Sequence, residues 1–112
     1  MTDLKNPDCG CHKSGPSQTK DRRGLRSDSH FADIEVFRCG LCDQAWLRYH
    51  YENESYSRSG RVYLGAISEQ ALQSIQPGQA KALLESLPSY VCGGPGVGGG
   101  PYRSSGELSL WP

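Results

Sequence analysis

The apolar positions of this chain fall into three short alternating runs, followed by a change of period. Phe31-Ala32-Asp33-Ile34-Glu35-Val36-Phe37-Arg38 places Ile34 and Val36 on one face and Asp33 and Glu35 on the other, the pattern of a half-buried strand. Residues 45–52 are again rich in β formers, with Leu47, Tyr49 and Tyr51 on one side. Trp46, Arg48, His50 and Glu52 lie on the opposite side, and residues 61–67 form a third run. Turn-forming stretches, Asn53-Glu54-Ser55 and Ser57-Arg58-Ser59-Gly60, separate the second run from the third. These runs predict an antiparallel meander of three or more strands whose first turn is the Cys39–Cys42 segment.

After Ser68 the period lengthens. Ser68 is placed to cap a short helix with Leu72 and Ile75 as its apolar pair, and Pro77-Gly78 interrupts it. Ala80, Leu83, Leu84 and Leu87 then share one stripe at helical spacing, ended by Pro88. One or two short helices packed on one sheet face make the expected class α+β. Residues 93–100 are dominated by glycine, which predicts a flexible loop, and the alternating tail Glu107-Leu108-Ser109-Leu110-Trp111 predicts an added edge strand. The whole reads as a single domain over residues 1–112. A loop-rich segment (1–30) precedes the strand meander (31–67), the helical segment (68–87) and the glycine-rich loop and tail (91–106).

Composition sharpens one part of this picture. Only 20 of the 112 residues are Leu, Ile, Val or Phe, and residues 1–30 contain just Met1, Leu4 and Leu25 as large apolar groups. So little apolar surface cannot offset a backbone ordering cost of roughly 1–2 kcal/mol per residue. Something other than hydrophobic burial must pin the N-terminal third. The balance of 12 basic and 12 acidic residues excludes binding to nucleic acid or an anionic membrane by charge alone. No run of 18 apolar residues is present, and the first seven residues lack the apolar stretch of an export signal, so the expectation is a cytoplasmic protein.

Five cysteines in a reducing compartment point to metal ligation rather than disulfides. Four form two tight pairs: Cys9-Gly10-Cys11, followed at once by His12, and Cys39-Gly40-Leu41-Cys42. A C-x-x-C turn lets two sulfurs face one centre while backbone N–H groups bond to them. The plain alternative is four ordinary reduced thiols. Phe37-Arg38-Cys39-Gly40-Leu41-Cys42, with Trp46 following, resembles the second knuckle of zinc-ribbon proteins over residues 6–52. The resemblance implies one structural Zn²⁺ and names no particular family. The first half departs from the ribbon pattern, because Asn6 stands where the first cysteine of C-P-x-C-G would be. Two ligand sets remain open: Cys9, Cys11, Cys39 and Cys42, or Cys9, His12, Cys39 and Cys42. Lys13, His12 and Arg38 are candidates to offset the charge of a thiolate site.

Other signals are weaker. His50-Tyr51-Glu52 matches part of a deaminase signature, but the cysteine pair precedes it and the context is β. Gly94-Pro95-Gly96-Val97-Gly98-Gly99 fits G-x-G-x-x-G literally, yet opens no helical pattern. Cys92 has no sequence-visible base, and the acidic neighbours Asp21 and Asp28 dilute Arg22, Arg23 and Arg26. No nucleophile, base and oxyanion donor come together, so the expectation is a non-catalytic, zinc-stabilised protein-binding module. Trp46, Arg48, Tyr51, Arg58 and Arg61 are its expected contact residues. An inhibitor or immunity-type partner of a bacterial toxin suits a neutral chain of this size. The second reading is a nucleic-acid-binding zinc ribbon using Arg38, Arg48, Arg58 and Arg61 with the tyrosines.

Overall fold

The computed structural model describes residues 9–53 and 55–110. Six strands form one antiparallel sheet in sequence order: β1 (Thr19–Gly24), β2 (Asp33–Cys39), β3 (Ala45–Tyr51), β4 (Arg61–Ala66), β5 (Tyr90–Gly94) and β6 (Gly99–Ser104). Among the described residues three short α-helices accompany it, α1 (Cys11–Ser14) before the sheet, and α2 (Glu69–Ser74) and α3 (Ala80–Ser86) between β4 and β5, together with 3-10 turns at Pro77–Gln79 and Pro95–Val97. The expected α+β meander is present, with twice the minimum strand number.

The alternation read along β2, β3 and β4 sets the two faces. Ile34 pairs with Tyr49, Val36 with Leu47, and Tyr49 with Tyr63, so these side chains point one way and form the main core. α2 and α3 supply Leu72, Ala80 and Leu84 to that face. Ser68 caps α2 as expected, its Oγ accepting from the Ala71 N–H at 3.1 Å. The helix layer sits close because β4 carries Gly65 there, where an added Cβ would lie 2.5 Å from both Leu84 Cδ2 and Leu87 Cδ1. The intervening residues Phe37, Cys39 and Trp46 point the other way and form a second, smaller core with Cys11, Leu64 and Ala66.

Three expectations change. The segment expected as a loop between knuckles contains β1, an edge strand in which every residue is exposed. Its Thr19-Lys20-Asp21-Arg22-Arg23-Gly24 sequence has no alternation because it packs no face; backbone pairing to β2 makes it a strand. A register shift between Lys20 and Arg23, with its charges, blunts the free edge. The glycine-rich stretch is a hairpin, β5–β6, rather than a flexible loop. Its turn folds back on the start of β4: Gly96 N–H donates to the Gly60 carbonyl at 2.9 Å, and a Cβ at Gly96 would collide with Ser59 and Arg61. Glycine is required by close approach there. Residues 107–110 add no strand, and Trp111 lies outside the described residues. Side chains hold this tail instead. Leu108 is buried, its N–H donating to Glu85 Oε2 at 2.8 Å, while the Tyr63 hydroxyl and Arg61 Nη1 both donate to the Ser109 carbonyl.

Candidate metal centre

The β2–β3 connection turns tightly at Cys39–Cys42. Cys39 N–H donates to the Gln44 carbonyl at 2.9 Å and Asp43 N–H to the Cys39 carbonyl at 3.0 Å. Asp43 takes a left-handed backbone, φ +67. Gln44 is buried, and its amide donates to the Ala45 and Ile67 carbonyls, tying the turn to the end of β4. Across from it, residues 9–14 make one helical turn, Gly15 N–H bonding to the Cys11 carbonyl at 2.9 Å.

These two turns bring four sulfurs together. Cys9, Cys11, Cys39 and Cys42 have all their Sγ atoms within 4.8 Å of one another. Cys9 Sγ lies 3.9 Å from Cys39 Sγ, and Cys11 Sγ 3.7 Å from Cys42 Sγ. Such distances are far too long for a disulfide, and all four cysteines are free thiols. They match the edge of a tetrahedron, about 3.8 Å, that follows from metal–sulfur bonds of about 2.3 Å. The donor set therefore fits a thiolate-loving metal ion with four ligands.

The surroundings favour ionised sulfur at one cysteine and resist it at others. Burial opposes ionisation of Cys39, but the N–H groups of Leu41 and Cys42 and the neighbouring thiols outweigh it, lowering its pKa to about 7. Burial raises Cys11 strongly, and the thiols of Cys9, Cys42 and Cys39 raise it further. Cys42 is raised by burial despite an opposing Gln44 N–H. Cys39 is thus the most readily ionised of the shifted thiols, and a bound metal must displace the thiol protons that remain.

Of the two ligand sets open from the sequence, the structure assembles the four-cysteine one. His12 stands outside that group. Its ring lies 6.2 Å from the Trp46 indole, and neither His12 Nε2 nor Trp46 Nε1 has a hydrogen-bond partner among the described residues. The His12 carbonyl accepts from Arg103 on β6, anchoring α1 across the sheet. Arg38 does not serve the sulfurs. It lies on the other sheet face, ion-paired to Glu69 of α2 and 3.5 Å from Asp21. Asn6, Pro7 and Asp8, where the first knuckle departs from the ribbon pattern, lie outside the described residues.

The five expected contact residues do not form one surface. Trp46 is 2% exposed and packs beside the sulfurs; Arg61 is fully buried under the C-terminal tail, its Nε donating to the Ser59 carbonyl at 2.9 Å. Neither offers surface to a partner: Trp46 is part of the smaller core, and Arg61 is bonded to Ser59 and Ser109 beneath the tail. Arg48 is half-buried on the open face, 3.9 Å from Glu35, while Tyr51 points to the opposite face beneath the Arg61 guanidinium. Arg58 is exposed in the β3–β4 loop. His50 and Glu52 join no metal-binding group among the described residues, and Cys92 is buried beside Tyr102 on β6. No family model, curated protein or solved structure matches the chain.

Proposed function

We propose that this chain is a non-catalytic protein-binding module braced by one structural zinc ion on Cys9, Cys11, Cys39 and Cys42. The observation that carries the brace is the cluster of four sulfurs, all within 4.8 Å of one another and with two cross-pairs at 3.9 and 3.7 Å, joining the N-terminal turn to the β2–β3 turn. Four protein ligands leave no position for water or substrate, so the ion supports structure rather than chemistry. Zinc is the choice because thiolates select soft or borderline metals and the required geometry is tetrahedral.

A protein partner is preferred over nucleic acid because several basic residues of β1–β3 are engaged by carboxylates of the same chain. Arg22 pairs with Glu35 at 2.5 Å, Arg48 faces the same carboxylate, Arg38 pairs with Glu69, and Lys20 with Asp43. Those pairings reduce the number of cations available to displace counterions from phosphates. The narrower reading, a dedicated inhibitor of the toxin-immunity kind, rests only on size and neutrality. The test is the salt dependence of binding. Affinity for duplex or single-stranded nucleic acid should be weak and vanish by physiological salt, each phosphate contact adding a log–log slope of about −0.9 or −0.7. Tight, sequence-selective binding at physiological salt that is lost on replacing Arg48 and Arg58 would overturn the preference.

A further inference from the structure

The four clustered sulfurs differ in exposure. Cys11 and Cys39 are buried, 4% and 0% exposed, whereas Cys9 and Cys42 are half-buried. Two close contacts run from one turn to the other: Cys9 Sγ to Cys39 Sγ at 3.9 Å, and Cys11 Sγ to Cys42 Sγ at 3.7 Å. Each contact therefore joins a sulfur open to small solutes to one that is enclosed. The S–S bond of a disulfide is about 2.05 Å long. Each pair closes to that length by a movement of about 2 Å shared between two side chains.

The other two ways of pairing these cysteines meet obstacles. Pairing within each turn couples Cys9 to Cys11 and Cys39 to Cys42. The first of those turns is helical: His12 N–H donates to the Cys9 carbonyl at 3.2 Å and Lys13 N–H to the Gly10 carbonyl at 3.1 Å, and Gly10 has helical backbone, φ −59 and ψ −17. Residues two apart on such a turn do not face each other, so a Cys9–Cys11 bond requires the turn to unwind. The remaining arrangement, Cys9 with Cys42 and Cys11 with Cys39, breaks both close contacts. It also leaves the two enclosed sulfurs to pair with neither open to an oxidant. Cys92 stands outside the cluster, buried on β5 beside Tyr102 of β6.

We infer that the four-cysteine cluster is also an oxidation site for peroxides, at which the cross-turn pairs become the disulfides Cys9–Cys39 and Cys11–Cys42. This rests on the metal-site reading above and names the regulation of that site. In each pair the more accessible sulfur attacks hydrogen peroxide: an S–O bond forms, the O–O bond breaks and one water leaves. The enclosed sulfur then attacks the oxidised one; the S–S bond forms, the S–O bond breaks and the oxygen leaves as a second water. Each pair gives two electrons to one peroxide. Starting from four thiolates on a divalent ion, the site consumes two peroxides and four protons and yields two disulfides, four waters and the free ion. The bonds span sequence separations of 30 and 31 residues, so the N-terminal turn stays fastened to the β2–β3 turn after the metal has gone. Bonds within the turns would release it.

The test treats the full chain, as purified, with excess hydrogen peroxide and follows released zinc, free thiols and unreduced tryptic peptides. Trypsin cuts after Lys5, Lys13, Arg38 and Arg48, so Cys9 and Cys11 share peptide 6–13 and Cys39 and Cys42 share peptide 39–48. The expected result is loss of the four clustered thiols, retention of the Cys92 thiol, release of the zinc, and a disulfide-joined pair of these two peptides. Two separate peptides, or cysteines carried on to sulfinic acids, overturn the proposal and leave the metal site standing. A chain that holds no zinc yet joins the two peptides supports the oxidation site and overturns the metal reading. Partner choice is read from two double variants, each first shown to keep the native circular dichroism. Cys11→Ser with Cys42→Ser retains the Cys9–Cys39 pair and should form its disulfide about 10-fold faster than Cys11→Ser with Cys39→Ser, which retains Cys9 and Cys42. Equal rates overturn the assigned partners. By hydrogen exchange, the oxidised, metal-free chain should keep protection over residues 9–18 that the reduced, chelated chain loses; equal loosening overturns the retained brace.

Discussion

At the scale of single residues, the polar groups inside this protein are tied to specific partners, and that predicts how it responds to pH. Tyr49 is raised well above the usual phenol range, first by burial and then by its bond to Asp28; burial also pushes Tyr63 up to about 12 and raises Tyr90. The folded state holds all three as neutral phenols, whereas an unfolded chain ionises them near pH 10. Their contribution is therefore complete below pH 10 and is lost as pH climbs from 10 towards 12. Urea midpoints should stay level on approaching pH 10 and fall beyond it. Tyr49→Phe should cost about 1–2 kcal/mol at neutral pH by removing the bond to Asp28, and should flatten part of the alkaline fall. The ligand set is tested at the same scale. Protein purified without added metal should contain about one zinc per chain, lost in Cys11→Ser and in the double Cys39→Ser, Cys42→Ser variant. His12→Ala should retain it, by elemental analysis. Metal kept in Cys11→Ser and lost in His12→Ala would restore the histidine set. Candidacy of Cys9, Cys11, Cys39 and Cys42 was legible from spacing alone, but the choice between Cys11 and His12 was not. Both side chains lie within three residues of Cys9, and only the direction of the α1 turn separates them.

Elements obey their local signals where one face is buried and depart from them where pairing alone decides. β2, β3 and β4 follow their alternation because one face meets α2 and α3. β1 has no apolar signal, since an edge strand with every residue exposed needs only backbone pairing to β2. β5 and β6 were hidden by glycine, which reads as a loop when isolated but permits close approach when a hairpin folds against β4. The contact between α3 and β4 gives an element-scale prediction. Gly65→Ala places a methyl group against Leu84 and Leu87 and forces the helix outward, at a cost of about 1–3 kcal/mol. Gly10→Ala, where an added Cβ meets nothing within 4 Å, is the control and should be close to neutral by chemical denaturation. Equal losses in the two variants would mean that helix packing is not what limits this site.

For the whole molecule, the sheet separates two cores of different character. One face carries a helix-covered apolar core; the other carries a small cluster of Cys11, Phe37, Cys39 and Trp46 closed by the sulfurs. The N-terminal segment reaches the body mainly through the second core, the Arg103 bond to the His12 carbonyl, and the pairing of β1 with β2. Removing metal should therefore loosen residues 9–18 and the 39–44 turn first, leaving α2, α3 and the β3–β4 pair protected. Hydrogen exchange on chelated protein measures this. Uniform loss of protection would mean that the metal supports both cores and that the brace is global. Trp46, packed beside the sulfurs, provides a parallel fluorescence readout of metal release.

The sequence alone determined the alternation of the three central strands, the helical stripe with its Ser68 cap, and the two cysteine pairs, because each is a local pattern enforced by one buried face or one tight turn. Tertiary structure alone decided which residues meet. Trp46 and Arg61, outwardly plausible contact residues, are enclosed because one lies beneath the sulfurs and the other beneath the tail. Arg38 faces Glu69 rather than the thiols because strand parity turns it towards α2. Phe31, which reads as the first apolar residue of a strand, points into solvent because Asp28, held by Tyr49 from two strands away, sets the loop's backbone. Local sequence encodes period and turn chemistry; burial and pairing across 20 to 50 residues of separation depend on the closed fold, where a side chain's neighbours come from other elements.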